Sequence, residues 1–80
     1  MTTTILRLPE VLRIRGRGRS THYEDIDKGL FTHPVPIGGR AVGWPDYEVG
    51  ALNAARISGL GEAEIRLLVL QLEAARKKAS

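Results

Sequence analysis

Eighty residues, no cysteine and a net charge of +3 describe one small domain near the lower size limit for a single stable core. They exclude a disulfide framework and a thiolate metal site. The opening stretch MTTTILRLPEV lacks the long apolar core of a signal peptide, and no apolar run is long enough to span a bilayer, so a soluble intracellular protein without a membrane partner is expected. The charge is uneven: residues 1–45 carry seven Lys and Arg against four Asp and Glu, whereas residues 46–80 carry five of each. A basic first half beside a neutral remainder suits a nucleic-acid-facing surface.

Residues 5–8 read as a short strand or as the lead into a helix. Leu8, Val11 and Leu12 then fall at i, i+3, i+4, one apolar helical stripe. Pro9 is tolerated in that first turn, where N–H groups have no intrahelical partner, and Glu10 suits the positive helix end. Gly16 stops the helix, Gly16-Arg17-Gly18 is a three-residue turn, and a second helix runs from about Arg19 to Lys28, stopped by Gly29. Two short helices joined by a glycine-bearing turn are the signature of a helix-turn-helix. The alternation RIRGRGRS (13–20) is therefore a turn that aims charge and not a disordered basic arm. In such a motif Arg17 and Arg19 meet DNA phosphates or base edges, and Ser20, Thr21 and Tyr23 lie where a recognition helix reaches the groove. Ser20 and Thr21 could equally satisfy helix N–H groups, and Tyr23 could pack its ring. Arg13 and Arg15 read as DNA-backbone contacts or plain surface.

Next, Val35–Ile37 and Ala41–Trp44 lean towards strand and flank Gly38-Gly39, a dipeptide suited to a two-residue hairpin. This predicts a small wing with Arg40 just past its tip, facing phosphate. Trp44 belongs in the core. Pro45 opens a third helix, with Asp46 and Glu48 in its first turn and Val49, Leu52 and Ile57 facing the core. Gly59 and Gly61 precede a last helix from about Glu62 to Lys78, acidic at its start and basic at its end (Arg76, Lys77, Lys78), which complements the helix dipole. Its apolar stripe, Ile65, Leu68, Val69 and Leu72, is broadened by Leu67 and Leu70. Burying each such side chain is worth about 1.5–3 kcal/mol. Two sinks exist, another copy of the helix or the domain's own core, and self-association is the favoured expectation.

His22 and His33 are far apart and form no His-x-x-x-His or Glu-x-x-His pair, so no metal is expected. His22 and Asp25, at i, i+3, suit a semi-buried mutual hydrogen bond. GRGRS lacks the lysine and spacing of a phosphate-binding Walker loop, and there is no nucleophile–base constellation. Neither an enzyme nor a cofactor is expected.

The segments RLPEVL (7–12), RSTHY (19–23), GLFTHPVPIGGRAVGW (29–44), EV (48–49) and ARI (55–57) resemble the AlpA family of prophage regulators, small winged relatives of phage excisionases and of MerR-type DNA-binding domains. The most specific element runs from Pro34 to Trp44. The resemblance implies a cytoplasmic protein that binds specific duplex DNA sequences. Such a protein regulates transcription of prophage or genomic-island genes, or acts as an excision factor beside an integrase. This chain departs from the family pattern at Arg17 and Gly18, where an apolar residue and a serine are usual, and at His22, where an aliphatic residue is usual. Glu24 stands where a base is common, so Glu24, Asp25 and Asp27 make the second helix acidic. The expected architecture is a mainly α winged helix-turn-helix, MerR/excisionase-like, over residues 5–58, with a small β-hairpin wing and an extra C-terminal helix, 62–78, joining protomers. The alternative is a protein-interaction module that has lost autonomous DNA binding.

Overall fold

A computed structural model describes residues 2–78. Its elements follow from where the chain can and cannot continue a helix. Helix α1 (Leu8–Arg15) ends at Gly16, whose φ of 67° is open to glycine without strain. There the Gly16 and Arg17 N–H groups turn back to the carbonyls of Arg13 and Leu12. The same two-bond closure ends α2 (Arg19–Asp27), where Leu30 N–H reaches the Asp25 carbonyl at 2.7 Å, and α3 (Asp46–Ile57), where Leu60 N–H reaches that of Ala55.

Between α2 and α3 lies the wing, β2 (Val35–Gly38) against β3 (Ala41–Pro45). The lead into α1 is a strand, β1 (Ile5–Leu6), which pairs with the other edge of β3, giving an antiparallel sheet of order β1-β3-β2. Leu6 faces Trp44 across one ladder and Val35 faces Gly43 across the other. Gly43 is required by that crossing, because a Cβ there would lie 2.9 Å from the Leu6 carbonyl oxygen and collide with the Ile5 side chain. A register shift between Pro36 and Gly38 leaves Gly38 opposite Ala41. The hairpin loop is therefore Gly39-Arg40 rather than Gly38-Gly39, and Arg40 occupies the tip itself.

Trp44 is fully buried and donates its indole N–H to the Thr32 carbonyl at 2.9 Å. Around it pack Val11, Ile26, Leu30, Phe31, Val49, Leu52 and Ala55, with Leu6, Leu8 and Tyr23 at the margin. Together these elements form a winged helix-turn-helix. Ile57 is not part of its core: it is 86% exposed. Five residues beyond Leu52 it falls well round the helix, and Ala55, three residues on, takes the inner position.

The largest correction concerns α4 (Glu62–Lys78). Ile65 and Val69 are buried in the core just described, and Leu68 and Leu72 pack against it. The stripe expected to join two copies is consumed within one chain, while Leu67 and Leu70 stay exposed. The helix therefore belongs to the domain that residues 5–58 were expected to complete alone. The bases at its end do more than complement a dipole. Arg76 donates Nε to Glu48 Oε2 at 2.7 Å, and Nη2 to Glu48 Oε1 at 2.6 Å and to the His33 carbonyl at 2.7 Å. Glu48, on α3, is wholly buried. The His33 N–H and imidazole both meet Glu73 Oε2, at 2.7 and 2.9 Å. The side chain of Lys78 lies outside the described residues.

A bidentate pair of this kind is costly to break from one side, because the remaining charge stays buried. Arg76→Ala is expected to lose about 3 kcal/mol of stability, and the double change Glu48→Leu with Arg76→Leu to regain most of it. Urea denaturation of the three proteins measures both. An unchanged midpoint in Arg76→Ala would show that the pair does not hold α4.

Candidate nucleic-acid interface

The exposed start of α2 is built by what the turn before it does inside. Arg15, the last residue of α1, follows Leu8, Val11 and Leu12 on the same helical stripe and points into the protein. Its side chain is 1% exposed. Its guanidinium carbon lies 4.0 Å from the centre of the Phe31 ring, Nη2 donates to Asp25 Oδ2 at 2.8 Å, and Nη1 meets His22 Nδ1 at 2.7 Å. Arg15 is therefore not a surface base, and the expected His22–Asp25 hydrogen bond is replaced by a guanidinium that serves both.

A guanidinium can only donate, so His22 Nδ1 must accept and the ring proton sits on Nε2. That Nε2 has no partner among the described residues. The ring is buried with edge-on neighbours Phe31 and Trp44, each centred 5.0 Å away. Burial first, and the positive charge of Arg15 second, push the His22 pKa down to about 4 against the pull of Asp25. The imidazole is neutral at pH 7. Asp25 also lies 3.5 Å from Arg17 Nε and 3.9 Å from Arg56 Nη2 on α3. Asn53, one turn earlier on α3, donates to the Ile14 carbonyl at 3.0 Å and fixes α3 against the end of α1.

Arg19, Ser20 and Thr21 occupy the first turn of α2 and are exposed. Gly18, in the extended N-cap position, provides no side-chain cap. Neither hydroxyl makes a hydrogen bond among the described residues. Arg17 precedes them in the turn, half-buried and drawn towards Asp25. Tyr23 is turned the other way: its ring packs against the core and edge-on to His22 at 5.3 Å. Arg40 is exposed on a separate element, the wing tip. Of the three acids on α2, only Glu24 and Asp27 face solvent. No group of three or more His, Cys, Asp or Glu able to hold a metal ion occurs among the described residues, and no helix there is long and apolar enough to cross a membrane.

The family described as "Prophage CP4-57 regulatory protein (AlpA)" matches residues 4–57, from the strand before α1 through the wing to the end of α3. The chain belongs to the AlpA family. A relative from Enterobacteria phage P4, "Uncharacterized protein ORF88", is 50% identical over 54 residues, which cover 68% of this chain and 61% of that protein. The chain thus spans about three fifths of that relative's length. No solved structure matches it. The AlpA match contains the turn, α2 and the wing, while α4 with Ile65 and Val69 lies beyond it.

Arg15, Asp25 and Arg56 were not singled out as one cluster by the sequence, although each sits on an apolar stripe: Arg15 after Val11, Asp25 beside Ile26, Arg56 after Leu52. A charge on such a stripe signals a buried partner of opposite sign, and Arg15 and Asp25 supply each other.

His22 carries the pH dependence of this cluster. Its folded pKa of about 4 lies below the ordinary 6.5, so as pH falls the unfolded chain takes up the proton first. The stabilisation is complete above about pH 6.5, declines between there and about pH 4, and stays lost below. It is worth at most about 3 kcal/mol. Urea denaturation against pH reads the loss, and NMR titration of the ring is expected to show it neutral at pH 5. A ring titrating near 6.5 would refute the arrangement.

Proposed function

We propose that this AlpA-family chain is a regulator that binds duplex DNA, with α2 in the major groove and the wing tip along the backbone. The observation that carries this is the start of α2: Arg19, Ser20 and Thr21 are exposed and unengaged while the rest of the helix is anchored through His22, Asp25 and Ile26. Early residues of a recognition helix reach base edges, and uncapped N–H groups favour phosphate. Arg40 at the tip supports a backbone contact. Tyr23 contributes by packing the helix more than by reaching the groove.

Glu24 and Asp27 remain on the outer surface of α2, where a carboxylate can accept from a cytosine amino group. The same exposed acids favour the second reading, a protein-interaction module. Within the DNA-binding reading the chain acts by occupancy and bending, as a transcription regulator of prophage or genomic-island genes or as an excision factor beside an integrase. Several copies on adjacent sites would supply the affinity that one small domain lacks. Leu67 and Leu70 are large apolar α4 residues that stay exposed and could make contact between them.

Fluorescence titration of prophage or island DNA fragments at several salt concentrations tests this. A selective fragment is expected, with log K falling against log salt by about 0.9 per neutralised phosphate. Arg40→Ala should lower that slope by about one contact on every sequence, whereas Arg19→Ala should also reduce selectivity. Weak, fragment-independent and salt-insensitive binding would favour the interaction module.

A further inference from the structure

Three guanidiniums converge on one carboxylate oxygen: Arg15 Nη2 at 2.8 Å, Arg17 Nε at 3.5 Å and Arg56 Nη2 at 3.9 Å from Asp25 Oδ2. One negative charge balances one of three positive charges, so two remain uncompensated within a few ångströms. Arg15 is inside, satisfied by His22, Asp25 and the Phe31 ring. Burial first, and also the charges of Arg17 and Arg56, lower its pKa, as expected of a cluster with excess positive charge.

The other two differ. Their side chains are 32% and 30% exposed, and at 3.5 and 3.9 Å from Oδ2 they are ion-paired with Asp25 without a hydrogen bond to it. Their remaining N–H donors are therefore available to an acceptor from solvent. Arg17 sits in the turn immediately before α2, and the Asn53–Ile14 bond fixes the part of α3 from which Arg56 emerges. The forked guanidinium matches the oxygens of a phosphate, and an anion here would relieve the repulsion between the two arginines.

We propose that Arg17 and Arg56, held in place by Asp25, form a binding site for one phosphate group, and that on duplex DNA this is a backbone phosphate beside the groove that α2 enters. Asp25 is the positioning residue and does not touch the phosphate. The identity of the phosphate as part of DNA rests on the DNA-binding reading; the site itself does not.

The test uses a short random-sequence duplex, because a phosphate contact carries no sequence information. Anisotropy titrations over a series of salt concentrations are expected to show Arg56→Ala binding several-fold more weakly, with the log K against log salt slope reduced by about 0.9. Arg56→Lys should keep the slope. A second readout needs no DNA: pyrophosphate should raise the Tm of the protein relative to chloride at equal ionic strength, and Arg56→Ala should remove the rise. If Arg56→Ala does not fold, Arg17→Ala reads the same two quantities. An unchanged slope in Arg56→Ala, while Arg19→Ala lowers it, overturns the site and leaves the DNA-binding reading standing. Stabilisation by pyrophosphate that depends on Arg56, without any duplex binding, supports the site and overturns DNA as the source of its phosphate.

Discussion

The contact between Arg15 and Asp25 sets the geometry on which the helix-turn-helix depends. It joins the side chains of α1 and α2 across ten residues with both partners almost removed from water, beside the Arg15–His22 contact at 2.7 Å. An ion pair in that setting gives little net stability, because desolvation consumes much of the attraction. What it gives is orientation. Only one placement of α2 lets Asp25 reach Nη2 while His22 Nδ1 meets Nη1 and Phe31 lies against the guanidinium face. Each partner constrains a different direction, so the angle between the two helices is over-determined. His22 must then be neutral, with its proton on Nε2, since a protonated ring would present a donor and a like charge to Arg15.

That arrangement also bears on the acidity of the helix proposed to enter the groove. Asp25 stands on the same face as His22 and Ile26 and is spent inward. The face opposite keeps Glu24 and Asp27, but the end proposed to lead into the groove, from Arg17 to Thr21, contains no acid at all. Charge along the helix is thus graded, basic at the turn and acidic towards Asp27. A helix that approaches DNA by its first turn keeps its acids farther from phosphate than a count over the whole helix suggests.

Most of the fold was legible because glycine and proline punctuate it. Gly16, Gly29 and Gly59 mark helix ends that the structure places within a residue or two, and the wing strands each run one residue further than expected, which moves the loop to Gly39-Arg40. Less legible was what the charges do. Arg15, Glu48, Arg56 and Arg76 each continue an apolar stripe, at Val11–Arg15, Glu48–Leu52–Ala55, Val49–Leu52–Arg56 and Ile65–Val69–Leu72–Arg76. Periodicity counts only apolar residues, so it passes over a charge that occupies a core-facing position. Which charge meets which is a tertiary fact, set by how the helices cross, and no spacing within one helix contains it. The exposed candidates Arg19, Ser20, Thr21 and Arg40 were accessible to sequence for the opposite reason: their positions follow from the turn and the hairpin alone.

The fate of α4 follows from the same limit. Burying the α4 stripe against a second copy presupposes that the rest of the domain has a finished core. It does not. Trp44, Phe31 and Leu52 are fully or nearly fully buried in a core that also includes Ile65 and Val69, so the 4–57 segment matched by the AlpA family leaves core contacts to be completed by residues outside it. Arg76 then locks the far end by reaching Glu48, a carboxylate in the first turn of α3 that would otherwise be buried without a cation. Glu48 and Ile65 point to the same conclusion from opposite chemistry. A buried acid on α3 needs a base, an apolar stripe on α4 needs a core, and one antiparallel return of the chain satisfies both. The helix that carried the strongest signal for joining two molecules is the one that makes a single molecule complete.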